Sequence, residues 1–410
     1  MNIKIKLLSC ILALLLVLSL ASCNATPETP TAAPTEAPTE APTSTPTQKP
    51  TEKPTEAPTE TQPPQIFSGE IKNVILIIGD GMGPEHIEAG QIFEGETYDF
   101  TKWNGSFCNT DSLHSNGTVG KLTDSAASAT ALATGTLTTN SYVGKDSNGE
   151  DLFTILDYAK STEKSVGIVT SDYLYGATPS GFSAHSTDRN DSDTITRTQA
   201  TSGVDFLCGL KSSSFYTDEY VELIESNNYY YSNSLSDKNA IMEAQKAFLP
   251  VNIENGKSDS AALKDVASLA IEYLERDEDG FVLMIEQAYI DKYSHNNEIA
   301  NMLERVASLN DTVETVMEWI GDRTDTAVIV TADHETGGLS VSKNNEYDKF
   351  VKKGNNTVYY QWTSDAHTQT MVNIFTYGFN VDFAKESQYN TADKIKNTDV
   401  FEMMLELVWN

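Results

Sequence analysis

The stretch Thr123-Asp124-Ser125-Ala126-Ala127-Ser128-Ala129-Thr130-Ala131 sets a serine hydroxyl directly after a carboxylate, where small helix-compatible residues begin. Asp124 and Ser125 stand at cap positions, so the spacing predicts a loop running into a helix. A helix N-terminus offers unpaired N–H groups and partial positive charge to an anion. A serine held there can attack a phosphoryl group. Capped alanine-rich helices are also ordinary core elements, so this segment gains meaning only from other residues. Asp80, Glu286, the pair Asp291 and His295, the adjacent pair Asp333 and His334, and His367 after Asp365 are the further candidates. Asp and His four residues apart lie on one face of a helical turn, within reach of one metal. Arg189 is a candidate phosphate clamp, because a guanidinium matches two phosphate oxygens.

These residues need elements that bring them together. Lys72 to Ile78 is a continuous apolar run of strand length, suited to a strand buried on both faces of a parallel sheet. It ends in Gly79-Asp80-Gly81-Met82-Gly83, so Asp80 projects at the carboxyl end of a strand, where open α/β sheets build their sites. Further buried strands are expected at Ser165 to Thr170, Phe281 to Ile285 and Thr326 to Val330, with a last one around Met371 to Phe375. Helical spacing marks Ala261 to Arg276 and Glu298 to Ile320. Four strand exits thus each deliver a carboxylate or an imidazole. Residues 195 to 258 alternate polar, tyrosine-rich and short helical pieces without chemistry of their own, as substrate-facing loops or insertions do.

The N-terminal part is of another kind. Lys4 and Lys6 precede an apolar run from Leu7 to Leu20, shorter than the roughly 20 residues a membrane span requires. Residues 1–22 therefore read as a signal peptide. Its end, Leu20-Ala21-Ser22-Cys23, resembles the bacterial lipobox, in which the cysteine becomes the lipidated N-terminus. Residues 23–65 are dominated by Pro, Thr, Glu and Ala, with Pro-Thr-Glu-Ala or Pro-Thr-Glu-Lys beginning at Pro34, Pro38, Pro50 and Pro54. Such a segment buries no apolar surface and is expected to be a disordered stalk. Residues 66–410 suffice for one large α/β domain, a central, mostly parallel sheet with helices on both faces. The whole chain carries 28 basic and 59 acidic residues, a net charge of −31. That charge repels nucleic acid and anionic lipid, so no nucleic-acid-binding module is expected and the membrane is reached only through the lipid anchor. An acidic chain that handles phosphate needs local positive charge, which metal ions and a few placed basic residues supply. Cys108 and Cys208 remain in the mature part; export permits a disulfide, and the sequence leaves that pairing open.

Gly79-Asp80-Gly81-Met82-Gly83, Thr123 to Thr130, Ala177-Thr178-Pro179, Ile285-Glu286, Ile290-Asp291-Lys292 with His295, Thr331-Ala332-Asp333-His334 and His367 resemble the alkaline phosphatase family, in family order and across nearly the whole folded part. The resemblance implies that Ser125 is the nucleophile and passes through a phosphoserine. It implies one zinc on Asp291, His295 and His367, a second on Asp80, Asp333 and His334, and a magnesium on Asp80, Thr178 and Glu286. Arg189 would clamp the phosphate of a small phosphate monoester, with Lys292 beside it. It implies a homodimer as well. The export signal and lipobox imply an enzyme anchored outside the bacterial cytoplasmic membrane. Imidazole-rich sets suit zinc and all-oxygen sets magnesium. Some members carry Asp or His two residues before the threonine ligand, where this chain has Gly176. From that difference, loose magnesium binding and a Lys292 free to lean toward phosphate are expected. His86, His114 and His185 match no ligand position and are expected to be structural or surface residues. The alternatives are a phosphodiesterase or sulfatase of the same superfamily, or a non-catalytic phosphate-binding surface lipoprotein.

Overall fold

The computed structural model of the protein describes residues 70–212, 215–254, 260–342, 347–352, 356–379, 381 and 395–409. The signal peptide, Cys23 and the stalk expected from the sequence lie outside the described residues. Ten strands form one sheet: β1 (Asn73–Gly79), β2 (Asn104–Asn109), β3 (Ser165–Thr170), β4 (Phe206–Leu210), β5 (Tyr229–Tyr231), β6 (Lys246–Val251), β7 (Phe281–Gln287), β8 (Thr326–Thr331), β9 (Val372–Tyr377) and β10 (Ile395–Lys396). Their spatial order is β10-β2-β9-β8-β1-β7-β3-β4-β6-β5. From β8 to β5 every neighbouring pair is parallel. Only β9 runs against its neighbours β8 and β2.

The central strands behave as their composition requires. All residues of β1, β7 and β8 are buried, because helices cover both faces of a parallel sheet. The helices divide into two packed groups. One contains α1 (Pro84–Glu94), α8 (Leu263–Leu274), α9 (Tyr289–His295) and α10 (Ile299–Ile320). The other contains α2 (Ser125–Thr134), α3 (Ile155–Ser161), α4 (Ala177–Ser183) and the C-terminal helix α11 (Asn397–Trp409). In α10, Met302, Leu303, Val306, Leu309, Val313, Val316 and Ile320 form the buried stripe expected of an amphipathic helix. Helix α2 differs, since all ten of its residues are buried. Its Ala and Ser side chains are small enough to let α4 approach closely, and a Cβ on Gly181 would lie 2.8 Å from that of Ala129.

The described residues of the region 195–258 are not a set of loops. It supplies α5 (Ser192–Thr201), α6 (Asp218–Ser226), α7 (Lys238–Glu243) and the strands β4, β5 and β6, which extend the sheet on the β3 side. Cys108 on β2 and Cys208 on β4 are both buried and free, and five strands stand between theirs in the sheet. No helix among the described residues is long and apolar enough to cross a membrane.

Candidate active site

The strand register sets the site. Ile78 of β1 pairs with Glu286 on one side and with Thr331 on the other, and Thr170 of β3 pairs with Glu286. The exits of β1, β3, β7 and β8 therefore lie level at one edge, and Asp80, Asp172, Glu286 and Asp333 issue from them. The backbone N–H of Asp80 donates to the Gln287 carbonyl at 3.1 Å, which fixes the first turn after β1. Ser125 is the first residue of α2. Asp124 caps that helix by accepting from the Ala127 N–H at 3.0 Å. The Ser128 hydroxyl donates to the Asp333 carbonyl at 2.7 Å and locks α2 onto the β8 exit.

Two groups of side chains could each hold a metal ion: Asp291 with His295 and His367, and Asp80 with Asp333 and His334. Within each group the ligand atoms lie within 4.8 Å of one another. The Ser125 hydroxyl oxygen is 3.1 Å from His334 Nε2, at the mouth of the second group. His334 Nε2 also faces Asp333 Oδ2 at 3.2 Å and Asp80 Oδ1 at 3.6 Å. Asp333 Oδ1 accepts from the N–H groups of Gly81 and His334. Its Oδ2 and Asp80 Oδ1 are buried without a hydrogen-bond partner. Two orphaned carboxylate oxygens facing an imidazole are costly unless a cation satisfies them, so these residues fit a metal.

The imidazoles are oriented for the same purpose. His295 Nδ1 lies 2.7 Å from the Asp365 carbonyl, and His367 Nδ1 2.8 Å from the Thr123 carbonyl. A carbonyl only accepts, so both Nδ1 atoms carry the proton and both Nε2 lone pairs are free toward Asp291, at 3.3 and 3.6 Å. Thr336 orients the third imidazole. Its hydroxyl donates to Asp291 Oδ1 at 2.6 Å and lies 3.2 Å from His334 Nδ1, whose N–H it therefore accepts. Thr336 thus joins the two groups. In the sequence it stands in the run Glu335-Thr336-Gly337-Gly338 after His334, a run similar to that of secreted Gram-positive members of the family, with no ligand role of its own.

Electrostatics agree with this picture. Burial, reinforced by Asp333, Asp291 and Glu286, holds the Asp80 carboxyl well above the usual carboxylate range. Burial pushes Glu286 up to about 8, with the charge of Asp172 adding to it, and pushes Asp333 up to about 7, with Asp291 adding to it. Burial, with His367, Arg189 and His295 nearby, keeps His334 neutral, well below the ordinary imidazole value. Repelling carboxyls beside neutral imidazoles are what a cation site contains before it is filled.

The oxygen set gathers around Glu286, which accepts from the Thr170 hydroxyl and has the Thr178 hydroxyl close enough to favour its charged form. Arg189 reaches the same mouth, with Nη1 donating to Asp124 Oδ2 at 3.2 Å. That oxygen also accepts from the Ser141 N–H, so the cap of α2 and the Arg189 loop are tied together. Lys292 departs from expectation. It is not free, because its ammonium pairs with Asp172. The site above Gly176 is also filled: a Cβ there would lie 2.6 Å from Asp172 Oδ2 and 2.9 Å from the Tyr173 carbonyl. Asp172 carries no signal in the sequence, because it lies six residues before Thr178, outside any local spacing. Of the three remaining histidines, His86 is buried against Ser294 and the Gly83 N–H, His185 contacts the Gly144 carbonyl, and His114 is exposed.

A family model described as alkaline phosphatase matches residues 71–207 and 244–404. Alkaline phosphatase 4 of Bacillus subtilis is 30% identical over 297 residues, which cover 68% of this chain and 64% of that protein. The chain therefore matches somewhat less than two thirds of that relative's length. Alkaline phosphatase of Escherichia coli is 28% identical over 330 residues, with 64% of this chain and 70% of that protein covered. The solved structure of alkaline phosphatase from the Antarctic bacterium TAB5 superposes with a TM-score of 0.71 at 24% identity, over 84% of this chain and 99% of that one, which speaks for the fold. With the family model spanning both halves of the sheet and every strand exit described above, this chain belongs to the alkaline phosphatase family.

Proposed function

We propose that the chain hydrolyses small phosphate monoesters through a phosphoserine at Ser125. The observation that carries this reading is the Ser125 hydroxyl at 3.1 Å from His334 Nε2, beside two orphaned carboxylate oxygens. Asp291, His295 and His367 would hold one zinc, Asp80, Asp333 and His334 a second, and Asp80, Thr178 and Glu286 a magnesium. When bound, these ions supply the charge that ionises serine and water and neutralises the phosphoryl group in an in-line displacement. The chain's own residues supply position. The first turn of α2 presents N–H groups to the phosphate. Arg189, held by Asp124, has further guanidinium donors for its oxygens. Ser125 Oγ forms a bond to phosphorus as the ester P–O bond breaks, and the departing alkoxide takes up a proton. Water then breaks the P–Oγ bond, returning the serine hydroxyl and releasing inorganic phosphate.

The same proposal places the enzyme outside the cytoplasmic membrane as a homodimer. Lipid on Cys23 would tether it, since a diacylglyceryl group meets the need for two anchoring chains. A Cys23→Ser form recovered in the soluble fraction with unchanged specific activity supports the tether. The chemistry is tested with a chromogenic phosphate monoester against the matching diester and sulfate. Monoester turnover that is lost on chelation and restored by zinc with magnesium supports it. Preference for the diester or the sulfate, or full activity in metal-free protein, overturns it.

A further inference from the structure

Asp172 has no role in the reading above, yet its side chain stands beside the oxygen set, where its charge acts on Glu286. One carboxylate oxygen takes the Lys292 ammonium, and the other lies over the Cα of Gly176. Its backbone N–H donates at 2.8 Å to the Thr170 hydroxyl, which donates to Glu286. Asp172, Thr170 and Glu286 therefore form one hydrogen-bonded chain across the exits of β3 and β7. Lys292 lies on α9 directly after Asp291, rests its ammonium 4.7 Å from the centre of the Tyr289 ring, and is near enough to Asp80 and Glu286 to act on both carboxyls. A glycine at 176 is the residue that leaves room for this arrangement, since any side chain there would displace Asp172.

We propose that Asp172 is a positioning residue that draws the Lys292 ammonium away from the Asp80–Thr178–Glu286 oxygens, keeping them open to a divalent cation. This rests on the monoesterase reading. Without the Asp172 charge, Asp80 and Glu286 still attract Lys292, and an ammonium settled on them competes with the metal for the same oxygens.

The test is calorimetric titration of magnesium into zinc-loaded, magnesium-free protein. Asp172→Asn is expected to weaken magnesium binding about 10–100-fold with zinc content unchanged. Adding Lys292→Met to it removes the competitor and is expected to recover most of that loss. Lys292→Met alone keeps Asp172, and should bind magnesium at least as tightly as wild type. This second variant carries the test if Asp172→Asn does not fold. Magnesium affinity of Asp172→Asn within about twofold of wild type would overturn the proposal. So would a double variant no better than Asp172→Asn, or a Lys292→Met protein that loses magnesium. Wild type that binds magnesium but leaves the monoester intact sinks the monoesterase reading, while the comparison of variants still decides what Asp172 does.

Discussion

Ser125→Ala removes the oxygen that faces His334 but leaves the imidazoles, the carboxyls and Arg189 in place. It is expected to fold and bind phosphate as wild type does, with turnover lower by roughly 10³-fold or more and no acid-stable phosphoprotein. Near-normal turnover with a phosphorylated residue elsewhere would refute the assignment. His334→Ala and His367→Ala each open a different cluster, so each is expected to lose about one zinc per chain when metal content is measured. At this scale the sequence is most legible where one short segment carries two residues of a candidate metal group, as with Asp333 and His334 or Asp291 and His295. It was least legible where a side chain acts on another from a distant stretch. Thr336 orients His334 and holds Asp291 forty-five residues away, and Asp172 reaches Lys292 at a separation of 120. Such pairs exist only once the sheet is folded, and no periodicity announces them.

Among the elements, α2 is the one whose placement the chemistry depends on. Its N-terminus carries Ser125, its Ser128 is bonded to the β8 exit, and its other side rests on α4, which carries Thr178. A methyl group on Gly181 would meet the Ala129 backbone carbon at 2.9 Å and the Thr130 nitrogen at 3.0 Å, and backbone cannot yield as a side chain does. Gly181→Ala should therefore destabilise the fold by about 1–3 kcal/mol. Turnover should fall as well, because the helix must shift with its serine. A variant with unchanged melting temperature and turnover would show that α2 and α4 have slack between them. The strands β1, β3, β7 and β8 were legible as continuous apolar runs, since a strand covered on both faces needs no polar side. Strands β4, β5 and β6 were not. Tyr229–Tyr231 is three residues long and only partly buried, and Phe206–Leu210 lies among polar segments. Their place in the sheet comes from β4 pairing with β3 and from pairing with one another, contacts that local composition does not announce.

For the whole molecule, the cost of assembling the site is felt as stability. The exposed carboxylates behind the net charge of −31 are ionised throughout the neutral range and add a repulsion that hardly varies there. The buried groups do vary. Glu286 and Asp333 titrate near 8 and 7 in the folded chain against ordinary values of 4.5 and 3.8, so between these limits the folded state holds protons that the unfolded state has lost. A raised carboxyl gives stability that is complete below the unfolded value and disappears as pH climbs through the folded one. His334 acts with the opposite sign, because its folded value is depressed; its stabilising effect is complete once pH exceeds the unfolded value of 6.5. From about pH 7.5 to about pH 8.5 the depressed imidazoles of His86, His334 and His367 have finished titrating in the unfolded chain and the carboxyls still change, so metal-stripped protein should melt at progressively lower temperature across that window. Metal-loaded protein should show the reverse or no slope. Binding requires the ligands deprotonated, and a ligand at about a thousand times its dissociation constant adds about 4 kcal/mol to the folded state. The two melting curves are therefore expected to diverge as pH rises. Curves that stay parallel across the window would mean that the buried carboxyls are not what the metals bind.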